Sequence, residues 1–201
     1  MKKAPLMASI AAAIFVCDLV SKYLTVAVLT FTFTAVNAQT WGDKLRAFVE
    51  QKNLLERGLA TRPVIVFEPF AQLLYTQNPG AAFNFLADAG EKIRVPFFHL
   101  ITVAAVIFIV VYGRKLREDQ RLLQVSLSLL LGGALGNGLD RLLRGYVIDF
   151  IAVHWFDPQW LHPARHFPTF NVADCGVTIG IALLLIESFI HRKEAVVPAV
   201  E

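Results

Sequence analysis

Hydrophobic positions along the chain fall into four long runs separated by polar stretches. The runs cover about residues 4–28, 95–113 ("VPFFHLITVAAVIFIVVYG"), 122–143 and 170–190 ("FNVADCGVTIGIALLLIESFI"). Each is close to the ~20 residues that a helix rising ~1.5 Å per residue needs to cross ~30 Å of hydrocarbon. The pattern therefore predicts four transmembrane helices with both termini on one side. Between the first two runs, "WGDKLRAFVEQKNLLERGL" sets Trp41, Leu45, Phe48, Leu55 and Leu59 at helical spacing, which predicts an amphipathic helix lying on the membrane surface. "FAQLLYTQ" reads as a short strand and "NPG" after it as a turn. The fold class expected is an all-α membrane protein with four transmembrane helices. A small β element and the interfacial helix belong to its first outer loop, residues 31–94, and the second outer loop is 145–169.

Composition agrees with this pattern. The chain is 56% hydrophobic and 17% charged, with a mean hydropathy of +0.55, whereas a soluble domain carries about a quarter charged residues. A single four-span domain over 1–201 is expected rather than several soluble ones. The net charge of +3 is small and scattered, so no nucleic-acid partner is expected. Lys2, Lys3, the short loop "RKLREDQR" and Arg192-Lys193 fall together on one side, and basic residues close to spans mark the cytoplasm. Both termini are then cytoplasmic and both long loops face outward. The basic, apolar N-terminus resembles a signal peptide, but the run from Ala4 to Val36 is too long and is interrupted by Asp18 and Lys22, so an uncleaved first span is expected. Cys17 and Cys175 sit inside apolar runs and are expected to be small buried hydrophobes.

Charges inside spans are costly and need a reason. Asp18 and Lys22, four apart, share one helix face and can pair. Asn137, Asp140 and Arg141 share a flank at the outer end of the third span, with Arg144 a further partner for Asp140. Gly132, Gly133, Gly136 and Gly138 allow close approach of other backbones. Paired structural bridges and helix capping explain these groups without catalysis. Gly145 is expected to end the helix. Asp149 then stands among apolar neighbours in "YVIDF", and Asp174 opens the fourth span, where Asn171 can cap. If the third and fourth spans pack together, the two carboxylates can meet. In a low dielectric such a pair shares a proton, and can take one from water while giving one to a carbonyl. From the residues alone, either aspartate could instead cap, pair with Lys22 or bind a cation. His154, His162 and His166, with Asp157 nearby, match no common zinc spacing, and no metal is expected.

Several ordered blocks carry a resemblance. "DLVSK", "NPGAAFNF", "GGALGNGLDRLLRGYVIDF" and "FPTFNVADCGVTIG" resemble those of the bacterial lipoprotein signal peptidases (signal peptidase II), four-span inner-membrane aspartic peptidases. The resemblance covers nearly the whole chain. It implies catalytic aspartates at Asp149 and Asp174, and a site lined by Asp18, Lys22, Asn78, Gly80, Asn137, Asp140, Arg141, Asn171 and Ala173. It also implies cleavage of diacylglyceryl-modified prolipoproteins before the lipidated cysteine, with no metal or organic cofactor, by a monomer in the inner membrane whose site is at the outer face among lipid. The chain departs from the family pattern in the long first loop around Trp41 to Leu59, in Asn84 where many members carry Ser, in the variable Pro79 position, and in the histidine-rich second outer loop. The rival readings are a small transporter using Asp18, Lys22, Asp140 and Arg141 as relay groups, or an inactive membrane-assembly protein. Against transport, the polar positions gather on one side, with none in the second span beyond His99.

Overall fold

A computed structural model describes residues 2–50, 52–61, 63–67, 70–80, 90–153 and 167–194. Four helices are long and apolar enough to cross a membrane: α1 (Lys3–Leu29), α4 (Glu91–Lys115), α5 (Arg121–Arg144) and α6 (Val172–Glu194). The chain is a multi-pass membrane protein. Two short helices, α2 (Thr32–Ala35) and α3 (Trp41–Glu50), follow α1. Strands β1 (Val64–Phe67) and β2 (Ala71–Asn78) precede α4, and β3 (Val147–Val153) lies between α5 and α6.

Helix α5 is the hub of the bundle and packs against α1, α4 and α6. Its glycines make that possible. A Cβ on Gly133 would stand 2.5 Å from the Ala173 carbonyl oxygen, and one on Gly132 would stand 2.7 Å from that of Ala11. The outward faces of the other spans are apolar, with Val16, Val20, Leu24 and Val28 forming one exposed stripe on α1, as a lipid-facing surface requires. Gly133→Ala is expected to push α6 away from α5 and lower stability by ~1–3 kcal/mol, read as a lower thermal midpoint in detergent. An unchanged midpoint would mean that the two helices are free to shift.

One end of the bundle carries a cap built from both long loops. β1, β2 and β3 form an antiparallel sheet in that order, with Thr76 opposite Asp149 and Asn78 opposite Val147. Under it, Val26 and Leu29 of α1, Phe48 of α3, Leu54, Tyr75, Tyr146 and Ile148 make a buried apolar cluster. Helix α3 turns Phe48 into this cluster and leaves Trp41 and Leu45 exposed. Its ends differ from the sequence expectation. The helix closes at Glu50, and Asn53 and Gly58, both at positive φ, break the stretch to Leu59 into turns. The expected strand is present as β2, but β1 and β3 go beyond the pattern reading. β3, the last strand of the sheet, packs against α1 and α5 as well as β2 and is buried along most of its length, so it is nearly continuously apolar and lacks the alternation of a half-solvated strand. Cys17 departs from its expected burial and lies exposed on α1, on the outward face. At the opposite end, the Lys3 ammonium donates to the Arg114 carbonyl at 2.7 Å and so caps α4.

Candidate active site

Gly145 takes a left-handed conformation (φ 79°) and ends α5, its N–H donating to the Arg141 carbonyl at 2.9 Å. The chain can then reverse into β3, which carries Asp149. The segment before α6 is drawn alongside β3: the Ile151 and Phe170 backbones exchange hydrogen bonds at 2.9 and 3.0 Å. This pairing delivers Asn171 and Asp174 to the side of Asp149. Asn171 caps α6 reciprocally, its Oδ1 accepting from the Asp174 N–H at 2.9 Å while its own N–H donates to Asp174 Oδ2 at 3.1 Å.

Asparagines connect the two carboxylates. Asn171 Nδ2 donates to Asp149 Oδ1 at 2.7 Å and to the Ile148 carbonyl at 3.2 Å. Asn78 Nδ2 donates to Asp149 Oδ2 at 2.9 Å, and Asn137 Nδ2 to Asp174 Oδ1 at 2.8 Å. Both carboxylates line one cavity of about 880 Å³, together with Thr76, Asn137 and Arg141. Asp149 is only 1% exposed. Burial pushes its carboxyl up to about 7, and the neighbouring Asp174 charge adds to the rise, while Asn78, Lys22 and Asn171 act in the opposite direction.

The remaining site residues form a brace. Lys22 Nζ sits 2.7 Å from Asp18 Oδ2 and 2.9 Å from Asp140 Oδ2, and it donates to Asn137 Oδ1 at 3.2 Å. Asp18 Oδ1 in turn accepts the Ala173 N–H at 2.9 Å, in the first turn of α6. Arg144 Nη1 lies 2.7 Å from Asp140 Oδ1, and Asp140 Oδ2 also accepts the Ile148 N–H at 3.1 Å. Two anions and two cations thus neutralise one another, which is how charges persist where water is scarce. Arg141 is held apart from this group. Its guanidinium lies 4.6 Å from the Phe98 ring centroid on α4 and donates to the Gly80 carbonyl at 2.9 Å. Gly80 N–H donates to Asn78 Oδ1 at 3.1 Å, so the turn after β2 is fastened to α5.

Every site residue expected from the sequence is therefore found at one end of the bundle. The expected Asp18–Lys22 and Asp140–Arg144 pairs are present, fused into one network through Lys22. Sequence reasoning missed Phe98, Thr76 and Phe170. The apolar, β-branched run from Val147 to Val153 is the signal that could have flagged a strand and, with it, Thr76 opposite Asp149. His154, Asp157, His162 and His166 lie outside the described residues, as do Ala81, Ala82, Phe83 and Asn84.

A family model described as signal peptidase (SPase) II matches residues 10–190. The chain belongs to the signal peptidase II family. It is similar to a lipoprotein signal peptidase of Anaeromyxobacter sp. (strain Fw109-5), at 45% identity over 83% of this chain and 76% of that protein. A lipoprotein signal peptidase of Cellvibrio japonicus is 36% identical over 76% of this chain and 89% of its own length. A solved structure of a bacterial membrane enzyme, obtained by the in meso method at 2.3 Å resolution, superposes with a TM-score of 0.68 at 26% identity. It covers 100% of this chain and 99% of that one. The transporter reading loses its footing in the geometry as well. The relay candidates Asp18, Lys22 and Asp140 are closed on one another and on Arg144 at a single depth, rather than strung across the span.

Proposed function

We propose that this chain is an aspartic endopeptidase that removes the signal peptide from diacylglyceryl-modified prolipoproteins, with Asp149 and Asp174 as its catalytic pair. The observation carrying this reading is the meeting of two carboxylates in one cavity, one of them buried and raised to about 7. Asp174 takes a proton from water as the water oxygen attacks the carbonyl carbon preceding the lipidated cysteine. Asp149 gives its proton to the carbonyl oxygen. The tetrahedral diol then collapses: the C–N bond breaks, a diol proton returns to Asp149, and Asp174 delivers its proton to the leaving cysteine nitrogen. No metal or organic cofactor takes part. Asn78 and Arg141 fix the turn that flanks the cleft, within reach of substrate backbone, while Asp18, Lys22, Asn137, Asp140, Asn171 and Ala173 hold the two carboxylates in place.

In this reading the protein resides in the bacterial inner membrane, with both termini cytoplasmic and the sheet-bearing end facing outward. The charges of Lys2, Lys3 and the short α4–α5 loop support that orientation. The exposed Trp41 and Leu45 of α3 rest against lipid. One chain supplies both carboxylates and the cavity, which supports action as a monomer.

Cleavage of a purified diacylglyceryl precursor by the protein in lipid vesicles, with the product mapped by mass spectrometry, tests the function. Failure to release a mature form beginning at the lipidated cysteine would overturn it. The pH dependence has a fixed sign. Below about 7 Asp149 carries its proton, and above it the acid is lost, so the rate is expected to fall as pH rises through about 7. A rate still climbing from pH 7 to 9 would remove Asp149 as the proton donor.

A further inference from the structure

We propose that Arg144 is a positioning residue that makes the placement of Asp149 depend on the docking of α3. The inference rests on the assignment of Asp149 above. Arg144 is 4% exposed and spends its guanidinium on two separate elements. Nη1 pairs with Asp140, and Nη2 donates to the Phe48 carbonyl of α3. Its guanidinium carbon also lies 4.4 Å from the centroid of the Phe48 ring, a cation–π contact strengthened by desolvation. Phe48 packs edge-on against Tyr23 of α1 at 5.5 Å, and Trp41 stacks on the same tyrosine at 6.2 Å. Helix α3 is thus seated on α1 by its rings and on α5 by one arginine.

The other half of the link runs to the reacting group. Asp140 Oδ2 holds the Ile148 N–H, and Asn171 holds the Ile148 carbonyl. Ile148 is 0% exposed and immediately precedes Asp149, so its peptide groups fix where the Asp149 side chain starts. If α3 lifts, Arg144 loses the Phe48 carbonyl and ring, and its hold on Asp140 loosens. Asp140 is then free to draw on Lys22 alone. A planar fork can serve Asp140 and Phe48 together, whereas a lysine ammonium reaches one or the other. The charged groups bearing on Asp149 are Lys22 of α1, Arg141 of α5 and Asp174 of α6. The β2 residues beside it, Thr76 and Asn78, are uncharged.

The test uses the full chain in lipid vesicles with a diacylglyceryl precursor, comparing wild type, Asp149→Asn, Arg144→Met, Arg144→Lys, Phe48→Ala and the Arg144→Met/Phe48→Ala double variant. Misplacement of a reacting group costs on the order of tenfold to a hundredfold, so Arg144→Met is expected to lower kcat by about tenfold or more with KM little changed. Arg144 is not among the charges bearing on Asp149, so the alkaline limb is expected to stay in place while kcat falls. Arg144→Lys keeps the charge but cannot hold Asp140 and the Phe48 carbonyl together, and should also lose kcat. Phe48→Ala should lower kcat less, and adding it to Arg144→Met should cost little more, because both cut one link. A folded Arg144→Met with wild-type kcat would overturn the inference. So would losses confined to KM, or losses that multiply in the double variant. If Arg144→Met does not fold, Arg144→Lys and Phe48→Ala decide by the same criteria, and wild-type kcat in both overturns it. Cleavage by wild type and none by Asp149→Asn, with all Arg144 and Phe48 variants normal, sinks this inference alone. Cleavage by Asp149→Asn sinks the assignment beneath it.

Discussion

Asp149→Asn and Asp174→Asn are each expected to lower precursor cleavage by roughly 100- to 10,000-fold, the range general acid–base groups contribute, while the protein stays folded. An asparagine keeps the volume of the carboxyl and an oxygen for one neighbouring donor, but it neither accepts nor releases a proton. The stability readout separates this from collapse of the site. Asp149 titrates near 3.8 in the unfolded chain and near 7 in the folded one. The folded state therefore holds the proton more tightly, and wild type loses stability as pH rises from about 4 to about 7. Asparagine lacks that penalty, so Asp149→Asn should be at least as stable as wild type at pH 8 by thermal unfolding. Full processing of a lipidated precursor by either variant would end the two-aspartate mechanism.

Lys22→Met is expected to be among the most destabilising single changes in the chain. Asp18 and Asp140 both lean on this one ammonium, and all three side chains are almost wholly buried, with Lys22 and Asp18 each at 1% exposure. Four charges, Asp18, Lys22, Asp140 and Arg144, sum to zero, and removing Lys22 leaves one uncompensated anion. Breaking a buried pair from one side costs about 3–5 kcal/mol. A second change gives the idea its edge. Asp18→Asn added to Lys22→Met restores neutrality, leaving Asp140 with Arg144, and asparagine can still offer an oxygen to the Ala173 N–H. The double variant should recover part of the lost thermal midpoint. If it unfolds as early as Lys22→Met alone, volume and packing rather than charge govern this site.

The bundle was legible because bilayer crossing imposes a strict rule of length and apolarity, and the four runs obey it. The charged pairs were legible where helix geometry made them local: Asp18 with Lys22, and Asp140 with Arg144, are each four residues apart on one helix. The cross-helix bond from Lys22 to Asp140 was not, since helical periodicity says nothing about which helices touch. The amphipathic reading of Trp41 to Leu59 found the helix but overran it, because Leu54, Leu55 and Leu59 continue the apolar spacing after the backbone has turned at Asn53 and Gly58. The sheet was read as one strand of three. β3 carries no period-2 signal because it is buried on both faces, and β1, exposed throughout, packs too little to leave a pattern.

Sequence by itself determined the four spans, the gathering of polar residues at one end, and the chemical kinds of group available there. Local spacing and the cost of charge in hydrocarbon are enough for that. Only the tertiary structure decided that Asp149 meets Asp174. Twenty-five positions separate them, and their approach depends on glycine-lined contact between α5 and α6, on the turn at Gly145, and on the pairing of Ile151 with Phe170. Such contacts lie between elements, where no periodicity within either element reaches.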